Sequence, residues 1–128
     1  MSHQEGFRSL DGDPWTITRR GTVIVVAVSA HRLFDPMLVD RLDLALRHEV
    51  TDADDLVLDL TRVRFISSAM LGRLVILWMA AQKRGRQVIL SGVTGTLAEI
   101  LRIAGLHQRM QMHADVPSAL AALADRAS

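Results

Sequence analysis

The sequence predicts a single α/β domain with a mixed, mostly parallel β-sheet that begins with an antiparallel hairpin. Two observations support this prediction. Short β-branched apolar runs alternate with segments of helical periodicity, which is typical of parallel sheets covered by helices. The chain has 128 residues, of which 49% are apolar, so it is long and apolar enough to bury one sizeable core.

The first predicted elements are a tail and a hairpin. Residues 1–12 are polar, and we expect a flexible tail there, followed by one domain over residues 13–126. Two strands are predicted near Trp15–Arg19 and Thr22–Ala30, with the intervening Arg-Gly pair as a tight turn. The second strand contains the run VIVVAV, which is typical of a strand buried on both faces.

The middle of the chain alternates between helix and strand. Asp35 and Pro36 predict the start of a helix, the first as its N-cap and the second as its first residue. The next strand is predicted at Leu56–Leu60. A longer helix is predicted over residues 69–84, and the glycine that follows it is a usual C-terminal residue.

The last third of the chain continues this alternation. RQVILSGV predicts a strand, and Thr96 with Glu99 predicts a capping box at the start of a helix that Gly105 ends. MQMHAD predicts a short last strand. A terminal helix follows, with Asp115 or Ser118 as its cap, so that about four helices are expected in all.

Composition excludes several classes of function. The absence of cysteine excludes disulfides, thiolate metal sites and cysteine nucleophiles. With 15 Lys and Arg against 14 Asp and Glu, the chain has no general attraction to nucleic acid or anionic lipid. No apolar run approaches the roughly 20 residues that span a bilayer, and the polar N-terminus does not resemble a signal peptide. We therefore expect a cytoplasmic protein without direct nucleic-acid binding or membrane insertion.

Most of the remaining polar clusters favour structural roles. The histidines lack the spacing of a metal site, so neither a metal nor a cofactor is predicted. The acidic run TDADD (Thr51–Asp55) is interpreted as a solvated turn. The loop SGVTGT (Ser91–Thr96) leaves anion or nucleotide binding open, although a turn explains it and it matches neither nucleotide-binding motif. Because local spacing yields no nucleophile–base pair, an enzyme is the least favoured class.

Two adjacent serines, Ser67 and Ser68, lie between a predicted strand and the long helix. No G-x-S-x-G pattern surrounds them, so a nucleophile elbow is not indicated. An N-cap explains one serine, and residue chemistry alone favours that interpretation. A second exposed hydroxyl would be accessible to a kinase, and a phosphate there would add about −1.5 to −2 charges. The helix dipole would stabilise that anion, so the fold would survive the modification. An interface across the turn would be disrupted by it.

The long helix has apolar residues on two sides. Its predicted core side consists of Met70, Leu71, Leu74, Leu77, Trp78 and Ala81. Ile76 and Met79 fall on the opposite side, one turn apart. These two residues form either a contact surface beside the serines or a face that a neighbouring helix covers.

The stretch LVLDLTRVRFISSAMLGRLVILWMAAQKRGRQVILSGVTGTLAEILRIAGL resembles the STAS domain of bacterial anti-sigma-factor antagonists. The resemblance covers about Val23–Leu123, and its most specific parts are DLTRVRFISSA, GRQVILSGV and LRIAGL. It implies the STAS fold, with the helices packed mainly on one face of the sheet.

The resemblance also implies a function that is not enzymatic. Such domains bind an anti-sigma factor that is also a serine kinase, which releases the sigma factor; the kinase phosphorylates the antagonist and a serine phosphatase resets it. The implied phosphorylation site is Ser68, with Ser67 as the alternative. The resemblance is also compatible with a weak dimer. Together with the apolar outer side of the long helix, it predicts these partner-binding residues: Ser67, Ser68, Ala69, Met70, Arg73, Ile76 and Met79.

The chain departs from the family pattern around these serines. Ser67 stands where the best-studied members have Asp, Ala69 replaces a small or hydroxyl residue, and Met70 stands where Gly is usual. The bulk of Met70 is expected to narrow kinase access or to alter the choice of partner. Three arginines are expected near the turn, where their charge would stabilise a phosphate unless they are simply solvated surface residues: Arg62, Arg64 and Arg73.

Two other functions remain open. One is an adaptor or scaffold STAS domain that makes constitutive contact with a transporter ATPase or a signalling assembly, using Ile76 and Met79. The other is a nucleotide-binding module that uses the SGVTGT loop.

Overall fold

The structure, a computed structural model, describes residues 7–8, 12–49 and 54–127. Over these ranges it contains a six-stranded mixed sheet, a two-stranded parallel sheet, four α-helices and one short 3₁₀ helix. The predicted α/β class, the N-terminal antiparallel hairpin and the four helices are confirmed.

The helices and the longer strands alternate along the chain as the sequence predicts, and the structure adds three strands of two residues each. The strands are β1 Phe7–Arg8, β2 Trp15–Arg20, β3 Val23–Val28, β4 Arg32–Leu33, β5 Asp55–Asp59, β6 Phe65–Ile66, β7 Val88–Ser91 and β8 Gln111–His113. The helices are α1 Pro36–Glu49, α2 Ser68–Lys83, α3 Gly95–Ile103 and α4 Val116–Ala127, and the 3₁₀ helix Leu106–Gln108 precedes β8.

The large sheet has the strand order β1-β2-β3-β5-β7-β8. The pairs β1–β2 and β2–β3 are antiparallel, whereas β3, β5, β7 and β8 run parallel. Phe7 and Arg8 extend the hairpin by pairing with Thr18 and Ile17, which the prediction of a flexible tail did not include. Most of that predicted tail, residues 1–6 and 9–11, lies outside the described residues.

The two faces of the sheet are covered unequally. Apolar side chains of α1, α2 and α3 share one core with one face of the central strands. The opposite face is covered by α4, whose Ala119 and Leu123 pack with Val25, Val57 and Ile89. Three helices thus lie on one face and one helix on the other, as the resemblance implied. No helix within the described ranges is long and apolar enough to cross a membrane.

Two predicted helix caps are formed by aspartates. The Asp35 carboxylate accepts a hydrogen bond from the backbone N–H of Met37 at 2.9 Å, immediately before α1. The Asp115 carboxylate accepts one from the N–H of Ser118 at 2.9 Å at the start of α4. The hydrogen bonds from Ser118 hold the pKa of Asp115 below its usual value. Asp115, and not Ser118, is therefore the cap of α4.

The predicted capping box at Thr96 and Glu99 is wrong. Helix α3 begins at Gly95, earlier than predicted, and follows Thr94, whose side chain makes no capping hydrogen bond. Glu99 does not reach back to the helix start, because its carboxylate pairs with Arg102 at 2.7 Å one turn further on. This ion pair lowers the pKa of Glu99. The predicted end of the helix is confirmed, since the following glycine has a positive φ of 79°.

The prediction that the acidic run is a solvated turn is wrong for its last two residues. Asp54 and Asp55 are buried. Asp54 binds Arg19 through two hydrogen bonds of 3.0 and 3.1 Å. Asp55 pairs with Arg86 at 3.2 Å and accepts a hydrogen bond of 2.8 Å from the N–H of Gln87. Both carboxylates tie the start of β5 to neighbouring parts of the sheet. The other residues of the run lie outside the described residues.

The backbone makes a close approach at Gly92, in the loop after β7. This glycine has a φ of +74°, and a Cβ there would lie 2.1 Å from Thr61 Oγ1 and 2.9 Å from Thr61 Cα. Thr61 cannot easily yield, because Asp59 accepts hydrogen bonds from its N–H at 3.0 Å and from its hydroxyl at 2.5 Å. Packing against Thr61 therefore dictates the glycine in this loop.

We expect Gly92→Ala to lower the free energy of unfolding by at least about 1–3 kcal/mol, because it adds backbone strain and a steric clash. Gly72→Ala is the matched control, since a Cβ at this helical glycine would meet nothing within 4 Å. That control should raise the free energy of unfolding by roughly 0.5–1 kcal/mol. Urea denaturation of both variants measures the effects, and a neutral Gly92→Ala would show that Thr61 moves freely.

Candidate functional site

A two-stranded parallel sheet holds the turn that precedes α2. In this small sheet β4 pairs with β6, with Arg32 opposite Phe65 and Leu33 opposite Ile66. Leu33 and Ile66 are buried in the main core, whereas Arg32 and Phe65 are exposed. The N–H of Ser67 donates a hydrogen bond to the Leu33 carbonyl at 2.9 Å. The turn is thereby fixed to the segment between β3 and α1.

Ser67 is the N-cap of α2. Its backbone is extended, with φ −75° and ψ 162°, and its Oγ accepts a hydrogen bond from the N–H of Met70 at 3.2 Å. Its carbonyl accepts the N–H of Leu71 at 3.0 Å, which begins the helical hydrogen-bond series. The capping role that residue chemistry favours therefore belongs to Ser67, whose hydroxyl is engaged by the helix.

Ser68 is the first residue of α2 and is exposed, as is the following Ala69. Its hydroxyl makes no hydrogen bond with the part of the chain that the structure describes. The first turn of α2 contains no acidic residue. Unpaired N–H groups and the helix dipole favour negative charge at this position. The two serines thus differ, since one caps the helix and the other presents a free hydroxyl to solvent.

This division of roles predicts different effects on stability. Ser67→Ala removes the cap and should lower the free energy of unfolding by about 1 kcal/mol. Ser68→Ala removes a solvated hydroxyl and should change it by no more than about 0.5 kcal/mol. Urea denaturation of the two variants gives both values. A larger loss for Ser68→Ala than for Ser67→Ala would contradict the assignment of the cap.

Met70 does not belong to the partner-binding surface, so this prediction is corrected. Its side chain is 0% exposed and lies in the main core with the other buried residues of α2. Helical periodicity places it on the same side as Leu74, Leu77 and Ala81. Because the side chain points away from solvent, its bulk does not narrow access to the exposed serine.

Arg73 is also engaged elsewhere. Its guanidinium binds Asp40 and Asp43 of α1, both at 2.6 Å, and Asp43 is buried and also pairs with Arg47 at 3.2 Å. The hydrogen bonds from Asp40 and then Asp43 raise the pKa of Arg73 above its usual value. Arg73 therefore links α2 to α1 and is not a free cation for a phosphate at the turn.

The other two arginines expected near the turn are exposed. Arg62 and Arg64 lie in the loop between β5 and β6, and the N–H of Arg64 donates to the His31 carbonyl at 2.7 Å. Neither guanidinium forms an ion pair with any described residue. They are the arginines in this loop that remain available to an external anion.

An aromatic cluster stands next to the turn, and sequence reasoning missed it. The rings of Phe34 and Phe65 meet edge to face, with centroids 6.2 Å apart and an interplanar angle of 76°. The guanidinium of Arg32 lies 5.1 Å from the centre of the Phe34 ring. Phe34 is 50% exposed and Phe65 is 39% exposed. The sequence carries no periodic signal for this pair, because the strands that bring the two rings together have only two residues each.

Ile76 and Met79 remain open to solvent. Their side chains are 61% and 48% exposed. The alternative that a neighbouring helix covers this face is therefore excluded for the residues that the structure describes. Both residues line a shallow cavity of about 300 Å³ together with Ala80, Lys83 and Arg84. They supply an apolar surface on the outer side of α2.

Other kinds of site find less support in the structure. Ser91 and Gly92 are buried, so the first part of the SGVTGT loop is not accessible to a nucleotide. Throughout the described ranges, no group of three or more His, Asp or Glu residues is arranged to hold a metal ion.

Comparison with known proteins identifies the family. The family profile described as the STAS domain matches residues 16–119. The chain belongs to the STAS domain family. The resemblance drawn from DLTRVRFISSA and the neighbouring motifs is therefore confirmed. No curated protein matches this STAS domain in sequence.

Solved structures share the fold at low sequence identity. An anti-sigma factor antagonist from Mycobacterium paratuberculosis is 23% identical, with a TM-score of 0.74, over 84% of this chain and 91% of its own. RsbS from Moorella thermoacetica is 20% identical, with a TM-score of 0.74, over 87% and 95%. A sulfate transporter family protein from Wolinella succinogenes is 23% identical, with a TM-score of 0.65, over 80% and 84%. The same fold thus occurs in an antagonist and in a transporter family.

Proposed function

We propose that this STAS domain is a cytoplasmic anti-sigma-factor antagonist that binds an anti-sigma serine kinase through the turn before α2. Phosphorylation of Ser68 releases the kinase, and a serine phosphatase restores binding. The observation that carries this proposal is the exposed hydroxyl of Ser68 at the start of α2, beside a separate serine that caps the helix. Similarity to solved antagonists supports it.

A phosphate on Ser68 suits the folded domain. The helix N-terminus stabilises an anion, the first turn of α2 has no carboxylate to repel it, and the cap at Ser67 stays intact. The same phosphate would place about −1.5 to −2 charges inside any interface laid across the turn. Modification would therefore dissolve the interface without unfolding the domain, as a reversible switch requires.

Ser67 is the weaker candidate for the phosphate. Its hydroxyl oxygen accepts the hydrogen bond from Met70 N–H that caps α2, and its side chain is only partly exposed. Phosphorylation there would require the cap to open. The position of the two hydroxyls thus favours Ser68 as the acceptor.

The proposed kinase-binding surface follows from the exposed residues. It comprises Ser67, Ser68 and Ala69 at the turn and continues along the outer side of α2 to Ile76 and Met79. Arg73 supports this surface indirectly, because its ion pairs with α1 hold the two helices together.

Phosphate mapping tests the proposal. The purified chain is incubated with ATP and the ATP-binding serine kinase encoded nearest to its gene, and the modified residue is identified by mass spectrometry. We expect one phosphate on Ser68 in the wild type and in Ser67→Ala, and none in Ser68→Ala. Phosphate that persists in Ser68→Ala overturns the assignment of the site. The absence of both phosphate and kinase binding overturns the proposed function.

A second candidate is a constitutive adaptor, which the exposed Ile76 and Met79 and their shallow cavity favour. The likeness to a transporter family protein is compatible with it. Ser68→Asp discriminates between the two functions. An adaptor that uses only the outer side of α2 should keep its partner in that variant and lose it when Ile76 and Met79 are both replaced by alanine.

A further inference from the structure

The small sheet beside the turn concentrates positive charge in a nearly neutral chain. The segments over residues 29–34 and 60–69 contain Arg32, Arg62 and Arg64 and no carboxylate, although the whole chain has 15 basic and 14 acidic residues. All three arginines are exposed, and none pairs with a carboxylate among the described residues. The bordering Asp35 and Asp59 accept hydrogen bonds from neighbouring backbone N–H groups. An external anion thus has open partners here.

Exposed aromatic rings lie among these charges. The edge-to-face pair of Phe34 and Phe65 is about half exposed, and Arg32 lies over one of its rings. Because Arg32 and Phe65 are opposite each other in the parallel pair β4–β6, they emerge on the same side of the small sheet. Aromatic and arginine side chains that can be desolvated together are typical of the residues that dominate protein interfaces.

We propose that this basic aromatic surface, formed by Arg32, Phe34 and Phe65 with Arg64 beside them, docks an acidic segment of the partner kinase that also inserts an apolar side chain against the rings. Complementary charge identifies the occupant, since exposed arginines bind carboxylates through charge-assisted hydrogen bonds and the rings offer an apolar contact. This inference deepens the proposed function, on which it rests, by naming the chemistry that recognises the partner.

The surface also explains how the modification would act. Ser68 follows Phe65 by three positions, so a phosphate on it introduces negative charge at the border of the basic aromatic surface. There it repels the acidic segment and competes with it for the arginines. Release therefore does not require any change in the fold.

A peptide titration tests the chemistry without the kinase. The labelled full chain is titrated with a short glutamate-rich peptide that carries two adjacent leucines, and amide shifts are followed by NMR. We expect shifts centred on residues 31–34 and 64–65 that weaken with added salt. Arg32→Glu and Phe34→Ala should each weaken binding about tenfold. Arg20→Glu and Leu44→Ala are the matched controls and should bind normally, since both residues are exposed and Arg20 lies at the other end of the hairpin.

The outcomes separate this inference from the proposed function. The inference is overturned if a glutamine-rich version of the peptide binds equally well or if the shifts are centred elsewhere. It is also overturned if duplex DNA or anionic vesicles bind and the peptide does not. If the kinase binds and phosphorylates the chain but Arg32→Glu and Phe34→Ala leave its affinity unchanged, the docking surface is wrong and the proposed function stands. If the peptide binds as expected but no kinase does, the proposed function fails while the docking chemistry stands.

Discussion

Ser68→Asp is expected to weaken binding to the anti-sigma kinase by on the order of 100-fold while leaving the free energy of unfolding nearly unchanged. The carboxylate places a negative charge inside the proposed interface, where its desolvation and its repulsion of the acidic partner segment both oppose binding. The fold should tolerate it, because Ser68 is exposed at the start of α2 and a helix N-terminus favours an anion. Isothermal titration calorimetry gives the affinity, and urea denaturation gives the stability.

Two further variants control this experiment. Ser68→Asn has nearly the size of the aspartate variant without its charge, so it should retain most of the affinity. Ser118→Asp places the same charge at an exposed position in the first turn of α4, on the other face of the sheet, and should bind normally. Equal loss in the asparagine variant would indicate a steric effect, and unchanged binding of Ser68→Asp would remove the turn from the interface.

Met70→Gly is expected to destabilise the domain strongly, although it restores the residue that the family resemblance implies at this position. Removing a completely buried methionine costs about 2–5 kcal/mol through lost burial and the remaining cavity. A glycine inside the helix adds about 1 kcal/mol. Urea denaturation of the variant and the wild type gives the loss in free energy of unfolding, which should equal the sum of these two contributions.

Met79→Ala is the matched control for this prediction. Met79 lies on the same helix, but 48% of its side chain is exposed, so its loss should change the free energy of unfolding by no more than about 0.5 kcal/mol. A Met70→Gly variant as stable as this control would mean that the core closes around the missing side chain. Kinase binding by a folded Met70→Gly protein should be retained, because Met70 contributes no exposed surface.

Local signals in the sequence predicted most of the fold correctly. The caps at Asp35 and Asp115 and the buried side of α2 depend on residues within about one helical turn, which is the range over which sequence patterns act. The alternation of short apolar runs with segments of helical periodicity likewise predicted the parallel sheet.

The wrong predictions concern side chains whose partner lies far away in the sequence or is a different residue of the same helix. The sequence predicts a solvated Asp54, but its partner Arg19 is 35 positions away in the chain. The sequence places Arg73 near the turn as a cation for a phosphate, but in the structure it binds carboxylates on α1 about 30 positions earlier. The predicted capping box does not form, because the Glu99 carboxylate pairs with Arg102 of the same helix. Charge patterns alone do not specify which of several partners a side chain takes.

The candidate site was predicted only in part. The turn and the exposed serine were identified from sequence, whereas the basic aromatic surface was not. Strands β4 and β6 have two residues each, which is too short for a periodic pattern to reveal their pairing. The meeting of Phe34 with Phe65 depends on that pairing, so it emerges only in the folded chain.

The most direct test of the switch compares the unmodified chain with one carrying a single phosphate mapped to Ser68. Calorimetric titration of both forms with the anti-sigma kinase measures the difference in affinity. We expect tight binding of the unmodified form, loss of measurable binding on phosphorylation, and recovery after treatment with a serine phosphatase. Equal affinity of the two forms, or loss of binding that requires phosphate at another residue, would contradict a switch at Ser68.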